Sequence, residues 1–259
     1  VTTAIIDRNG NLLVDPMLDI PRGAYNECSS INKFGAAAEA AADTATVVWD
    51  GGATYTFPAT ALMTHISQTT DQALLRGGLV SVQGLDADWN QVTQVATLDA
   101  TLTTNIVELA TPLIRCFRMI MMGSVVPTST IRVHNAGESV DYAVITTGIN
   151  QTLMAVYTVP AGKTAYMTSY YTSVTSETNK VPQSTEVVLK TANRVHGDLF
   201  TVKHAFAIPK LQPGFQHWFK PYYKFTEKTD MLVEVTCATN PAHIHAGFDL
   251  ILVNNNRTW

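Results

Sequence analysis

Phe200, Val202, His204, Phe206 and Ile208 alternate with Thr201, Lys203, Ala205 and Ala207, and the same period of two returns twice more downstream. Met231, Val233, Val235 and Cys237 form one such row, and Ile244, Ala246, Phe248, Leu250 and Leu252 form another. Side chains two apart on a strand share a face, so each segment buries one face of a sheet and wets the other. With the shorter Glu186–Lys190 and the aromatic Phe215–Lys220, which stops at Pro221, this makes about seven or eight strands in roughly 110 residues, the spacing of an antiparallel sandwich.

The longest strand signal is Asn150–Val174. Leu153–Val159 is apolar and β-branched, Pro160 presets a turn, and Gly162 is free to take the positive φ that closes it. Thr164–Val174 then returns with Tyr166, Thr168, Tyr170 and Thr172 on one side, which predicts a long hairpin. The first half carries similar signals. Thr46–Trp49 ends at Asp50-Gly51-Gly52, and Tyr55–Phe57 resumes before Pro58. Leu79–Gln83 and Val92–Leu98 flank an acidic loop, and Thr130–Val133 and Tyr142–Ile145 flank Asn135–Glu138. Ile106–Val126 has room for a strand, a turn at Pro112 and a second strand. Ala36–Asp43 reads as two helical turns or a linker.

An all-β fold follows: two antiparallel β-sandwich, jelly-roll-like domains, residues 35–147 and 148–259, behind an extended N-terminal arm of residues 1–34. Pro16 and Pro21 break up the arm, and Ile5, Ile6, Leu12, Leu13 and Phe34 give it something to bury on a neighbour.

Of the 259 residues 46% are hydrophobic, enough for real cores without disulfides. Cys28, Cys116 and Cys237 are far apart and match no metal or redox spacing; Cys237, on the apolar side of its strand, reads as a buried thiol. Charged residues are only 15% and the net charge is −4, so no basic footprint for nucleic acid exists. The run Asn105–Val126 is interrupted by Glu108, Pro112, Arg115 and Arg118, which excludes a membrane-spanning helix.

Three constellations have chemical potential. Asp86-x-Asp88-x-Asn90 begins like a calcium loop, but its sixth position is Gln91 and its twelfth Thr97, so an acidic hairpin turn is preferred. His243-Ile244-His245 with Asp249 would place two imidazoles on one strand face, in the manner of the first cupin motif, with His204 available upstream. No second histidine motif follows, and outward polar positions are the preferred reading. Phe215, Trp218, Phe219, Tyr222 and Tyr223 form an aromatic cluster, either a stacking platform or core and interface packing. No nucleophile elbow and no phosphate-binding glycine pattern occurs.

Several segments are similar to a family of virion structural proteins of tailed marine bacteriophages, capsid-decorating or head- or tail-associated. They are Ile31–Gly35, Val48–Gly52, Val82–Asp88, Asn150–Leu153 with Val159–Tyr166, and Ala246–Leu252. Ala36-Ala37-Ala38 departs from it, since relatives are more polar there. These are turns and strands, so the resemblance implies a structural role and transfers no catalytic residue. The expectation is a non-enzymatic capsid-decorating or cement protein that binds the head shell through its arm. Its partners would be the major capsid protein or neighbouring virion proteins, in a homo-oligomer taken as a trimer, with no cofactor, metal, nucleic acid or membrane. It would reside in the virion, assembled in the host bacterial cytoplasm. Ile31, Phe34 and Trp259 are the expected contacts. The alternative is a head–tail or tail-fibre component with a carbohydrate-binding sandwich, using Trp218, Tyr222 and Tyr223.

Overall fold

The computed structural model describes residues 16–52, 54–100, 105–176, 180–210 and 212–256. Sixteen strands run through them: β1 (Cys28–Ala40), β2 (Thr46–Val47), β3 (Met63–Gln68), β4 (Leu79–Leu85), β5 (Gln91–Thr97), β6 (Ile106–Leu113), β7 (Arg115–Met121) and β8 (Ile131–His134) in the first half. β9 (Asp141–Ile145), β10 (Val156–Thr158), β11 (Lys163–Thr175), β12 (Ser184–Asn193), β13 (Thr201–Pro209), β14 (Gly214–Phe225), β15 (Thr229–Cys237) and β16 (Ala242–Asn254) follow. A single turn of helix, α1 (Pro16–Asp19), precedes them.

The strands form antiparallel sheets, as the period of two predicts. β1-β16-β11-β14 is one sheet and β10-β15-β12-β13 another, with β2 paired to β15. Their inner faces meet in a core of Met167, Tyr170, Val187, Leu189, Val233, Val235, Phe248 and Leu250. Each such side chain contributes about 1.5–3 kcal/mol by leaving water. β6-β3-β8-β9 and β5-β4-β7 make the other pair of sheets, around Met63, Ile66, Val80, Val82, Met119, Ile131, Val133 and Ile145. β15 serves both cores: Met231, Val233 and Val235 point into the first and Leu232 into the second.

The expected hairpin at 150–174 is corrected. β10 pairs with β15, whereas β11 pairs with β14 and β16. The Pro160–Gly162 turn is real, with Gly162 at φ 69°, but it hands the chain from one sheet to the facing one. All three residues of β10 are buried, so it lacks the wet face of a simple hairpin arm. The hairpins β4–β5 and β8–β9 do form.

The division into arm and domains meets pairings that cross it. Cys28–Phe34 of the expected arm are the first half of β1, hydrogen-bonded to β16 of the same chain from Cys28↔Val253 to Phe34↔Gly247. Ala36–Ala40 continue that strand and are not helical. Just before them, at Gly35, β1 passes very close to other backbone. A Cβ at Gly35 would stand 2.4 Å from both the Ala155 nitrogen and the Val48 carbonyl oxygen. Packing thereby overrides the helix propensity of alanine. Pro112 lies within β6 rather than at a turn, and β6 and β7 belong to different sheets. Pro221 likewise does not end its strand. It sits in the edge strand β14, where the register with β11 shifts, a place that tolerates a missing N–H.

Candidate functional site

The outer face of the β1-β16-β11-β14 sheet carries a continuous row across its strands. Asn32 pairs with Asp249, Asp249 with Ser169, and Ser169 with Trp218. The Asp249 carboxylate accepts from Asn32 Nδ2 at 2.7 Å and from Ser169 Oγ at 2.8 Å, and Gln216 Nε2 donates to Ser169 Oγ at 3.4 Å. These polar groups hold the strands in register and satisfy one another.

Against this row lies a groove of about 260 Å³ whose walls are apolar: Met17, Ile20, Pro21, Ile31, Trp218 and Ile251. The turn after α1 forms one side, tied down by Arg22 to Asp19 at 3.0 Å. Met17, Leu18, Trp218 and Tyr222 are 57%, 59%, 55% and 49% exposed, a concentration of wetted apolar surface around one sheet face. The arrangement is suited to burying apolar side chains.

The structure brings Ile31 and Trp218 together in this groove. Phe34 lies one row away, opposite Gly247. The aromatic cluster splits. Phe219 and Phe225 are core, Tyr223 packs against that core and stacks on Phe225 at 5.0 Å, and Trp218 and Tyr222 face out. Trp259 and the apolar residues Ile5, Ile6, Leu12 and Leu13 lie outside the described residues.

The histidines do not converge. His243 and His245 are exposed on β16, while Asp249 is engaged as above. His204 lies across the sandwich, its Nδ1 2.6 Å from the Tyr170 hydroxyl and its ring stacked on His217 at 4.0 Å. Burial and the nearby His217 push the His204 pKa down. This pair joins the edge strands β13 and β14 of facing sheets. Among the described residues, no group of three or more metal-ligating side chains occurs.

Asp86 is a turn residue: its Oδ1 accepts from the backbone N–H of Asp88 and of Asn90, each at 2.9 Å. The tip of that hairpin has a further task that sequence reasoning missed. Trp89 accepts a backbone hydrogen bond from Ala161 at 3.0 Å, and its ring lies 4.8 Å from the Arg115 guanidinium. Arg115, buried at the start of β7, forms a two-pronged bond to Asp230 of β15 through Nε and Nη2, both at 2.8 Å. Arg194 Nε and Thr158 Oγ1 also donate to Asp230, at 2.6 and 2.5 Å. Arg115 Nη1 donates to the Pro58 and Ile114 carbonyls at 2.6 and 2.7 Å. This buried network bolts the two sandwiches together. Its one advance signal is Arg115, a charge inside an otherwise apolar run.

No family model and no curated protein matches the chain. Among solved structures, the cowpea mosaic virus top component is 7% identical over 75% of this chain and 82% of that one, with a TM-score of 0.23. The infectious bursal disease virus VP2 subviral particle is 8% identical over 89% and 73%, with a TM-score of 0.24. The cysteine protease and lectin-like domains of Cwp84 from Clostridium difficile are 8% identical over 74% and 63%, with a TM-score of 0.18. Likenesses this distant carry no weight for what this chain does.

Proposed function

We propose that the chain is a non-enzymatic structural protein of a phage particle, most simply a decorating or cement protein on the head shell. The observation that carries this reading is the exposed apolar groove built across a rigid four-stranded sheet. Two sandwiches bolted by a buried ionic network supply stiff bulk, and the groove around Ile31 and Trp218 supplies a face that gains by being covered. Many identical weak contacts over a shell add up by avidity. The sequence resemblance to phage virion proteins points the same way.

Replacing Trp218 and Tyr222 together by serine tests the contact. Both side chains are half exposed, so the variant folds, while its incorporation into particles falls by about tenfold or more. Unchanged incorporation of a folded variant overturns this contact. Immunogold labelling of the intact phage locates the protein: label spread over the head supports decoration. Label confined to the tail supports the head–tail or tail-fibre reading, which the exposed Trp218 and Tyr222 favour as a sugar-stacking pair. A glycan array then tests that reading directly.

A further inference from the structure

A second cavity, of about 90 Å³, lies where β1 of one sandwich meets β4 and β7 of the other, and it has the opposite character from the groove. Lys33, Arg118, Tyr157, Gln83, Asn32 and Phe117 line it. Lys33 is 3% exposed, and its ammonium donates to the Phe117 carbonyl and lies 5.9 Å from that ring's centroid. An ammonium has three N–H donors and this accounts for one. Arg118 Nη2 donates to the Asn32 carbonyl at 3.0 Å, which leaves most of the guanidinium fork for other partners. Tyr157 is 1% exposed, and its buried hydroxyl has no hydrogen-bond partner among the described residues. No carboxylate lines the cavity.

Two cations and an orphaned O–H therefore face one small space without a counter-charge. Burial, and next to it the repulsion of Arg118, lower the Lys33 pKa to about 7, while the adjacent Cys116 thiol is pushed up to about 12 and stays neutral. Below about pH 7, where Lys33 is protonated, a water molecule would satisfy the hydroxyl but leave the two neighbouring positive charges without a counter-charge. We propose that this cavity binds a small anion of halide to acetate size, held by the Lys33 ammonium, the Arg118 guanidinium and the Tyr157 hydroxyl. Because β1 and β7 belong to different sandwiches, the bound anion tightens the junction between them.

Crystals of the full chain soaked in sodium bromide are expected to show an anomalous peak within hydrogen-bond reach of Lys33 and Tyr157. In solution at pH 6, where Lys33 carries its proton, replacing sodium gluconate by sodium chloride at constant ionic strength is expected to raise the melting temperature saturably, by about 3 °C or more. Tyr157→Phe removes a hydroxyl that has no protein partner, so it folds, and it is expected to lose at least half of that rise; Arg118→Gln is expected to do the same. An empty cavity in the bromide map overturns the proposal. A peak with no saturable thermal shift, or with the same shift in Tyr157→Phe, also overturns it and means an adventitious ion only.

Discussion

Asp230 has no exposed surface and accepts hydrogen bonds from two guanidiniums, one buried and one partly exposed. Asp230→Asn keeps the shape and removes the charge, leaving Arg115 buried without its partner. The expected loss is about 3–5 kcal/mol in urea unfolding. Arg194→Met leaves the two-pronged Arg115 bond in place and is expected to cost about 1 kcal/mol. Lys33 makes a pH prediction. Its pKa is lowered from 10.5 to about 7 in the folded chain, so between those values the unfolded chain binds the extra proton. Stability is then full above 10.5, is lost as pH falls through about 7, and changes by roughly 1.4 kcal/mol per pH unit between. Lys33→Met is expected to flatten the rise in melting temperature between pH 7 and 9.5 measured in gluconate, and to raise its lower end. Arg115 and Arg118 were visible in the sequence only as charges that spoil a membrane span. Asp230 stands 115 positions beyond Arg115, and no local pattern announces a partner at that distance.

At the scale of elements, strands were legible and their neighbours were not. Period two states which face of β16 is dry, because that depends on the residues of the strand alone; β15 is buried on both faces, and Val202 on the apolar side of β13 is exposed. The period says nothing about which sheet receives the strand, and so β10 and β11 were joined in a hairpin when they belong to facing sheets. Ala36–Ala40 failed for a related reason: their intrinsic preference is helical, and it is the pairing with β16, next to the closeness of Gly35 to Val48 and Ala155, that holds them in a strand. Gly35→Ala measures that closeness. The added methyl would meet backbone atoms of two other segments, which cannot yield separately, and the expected destabilisation is about 3 kcal/mol by calorimetry. Gly137→Ala, in the open β8–β9 turn with nothing near its Cβ position, is the control and is expected to stay within about 0.5 kcal/mol of the parent. The groove was half legible on the same terms. Trp218 stood out as a member of an aromatic cluster, but its meeting with Ile31 and Met17 depends on β1 lying against β16.

For the whole molecule, the pairings that cross from the first fifty residues into the last hundred decide how it unfolds. β1 covers the free edge of β16 over most of its length, and β2 caps β15. Leu232 and Val156 look into the core of the other sandwich, and the Asp230 network crosses the same boundary. Separating the sandwiches would thus expose apolar surface and buried charge at once. The full chain is expected to melt in one calorimetric transition whose van't Hoff and calorimetric enthalpies agree. Residues 148–259 expressed alone lack β1 and β2, so the long edge of β16 is open to pair with another copy. That fragment is expected to aggregate or associate, and adding a peptide of residues 28–47 is expected to restore part of its solubility by filling the edge. A monomeric, cooperatively folding 148–259 fragment would show instead that the C-terminal sheets are complete without the first strands. The bolted junction would then be an attachment between two independent bodies, and the stiffness required of a shell-bound protein would have to come from the particle.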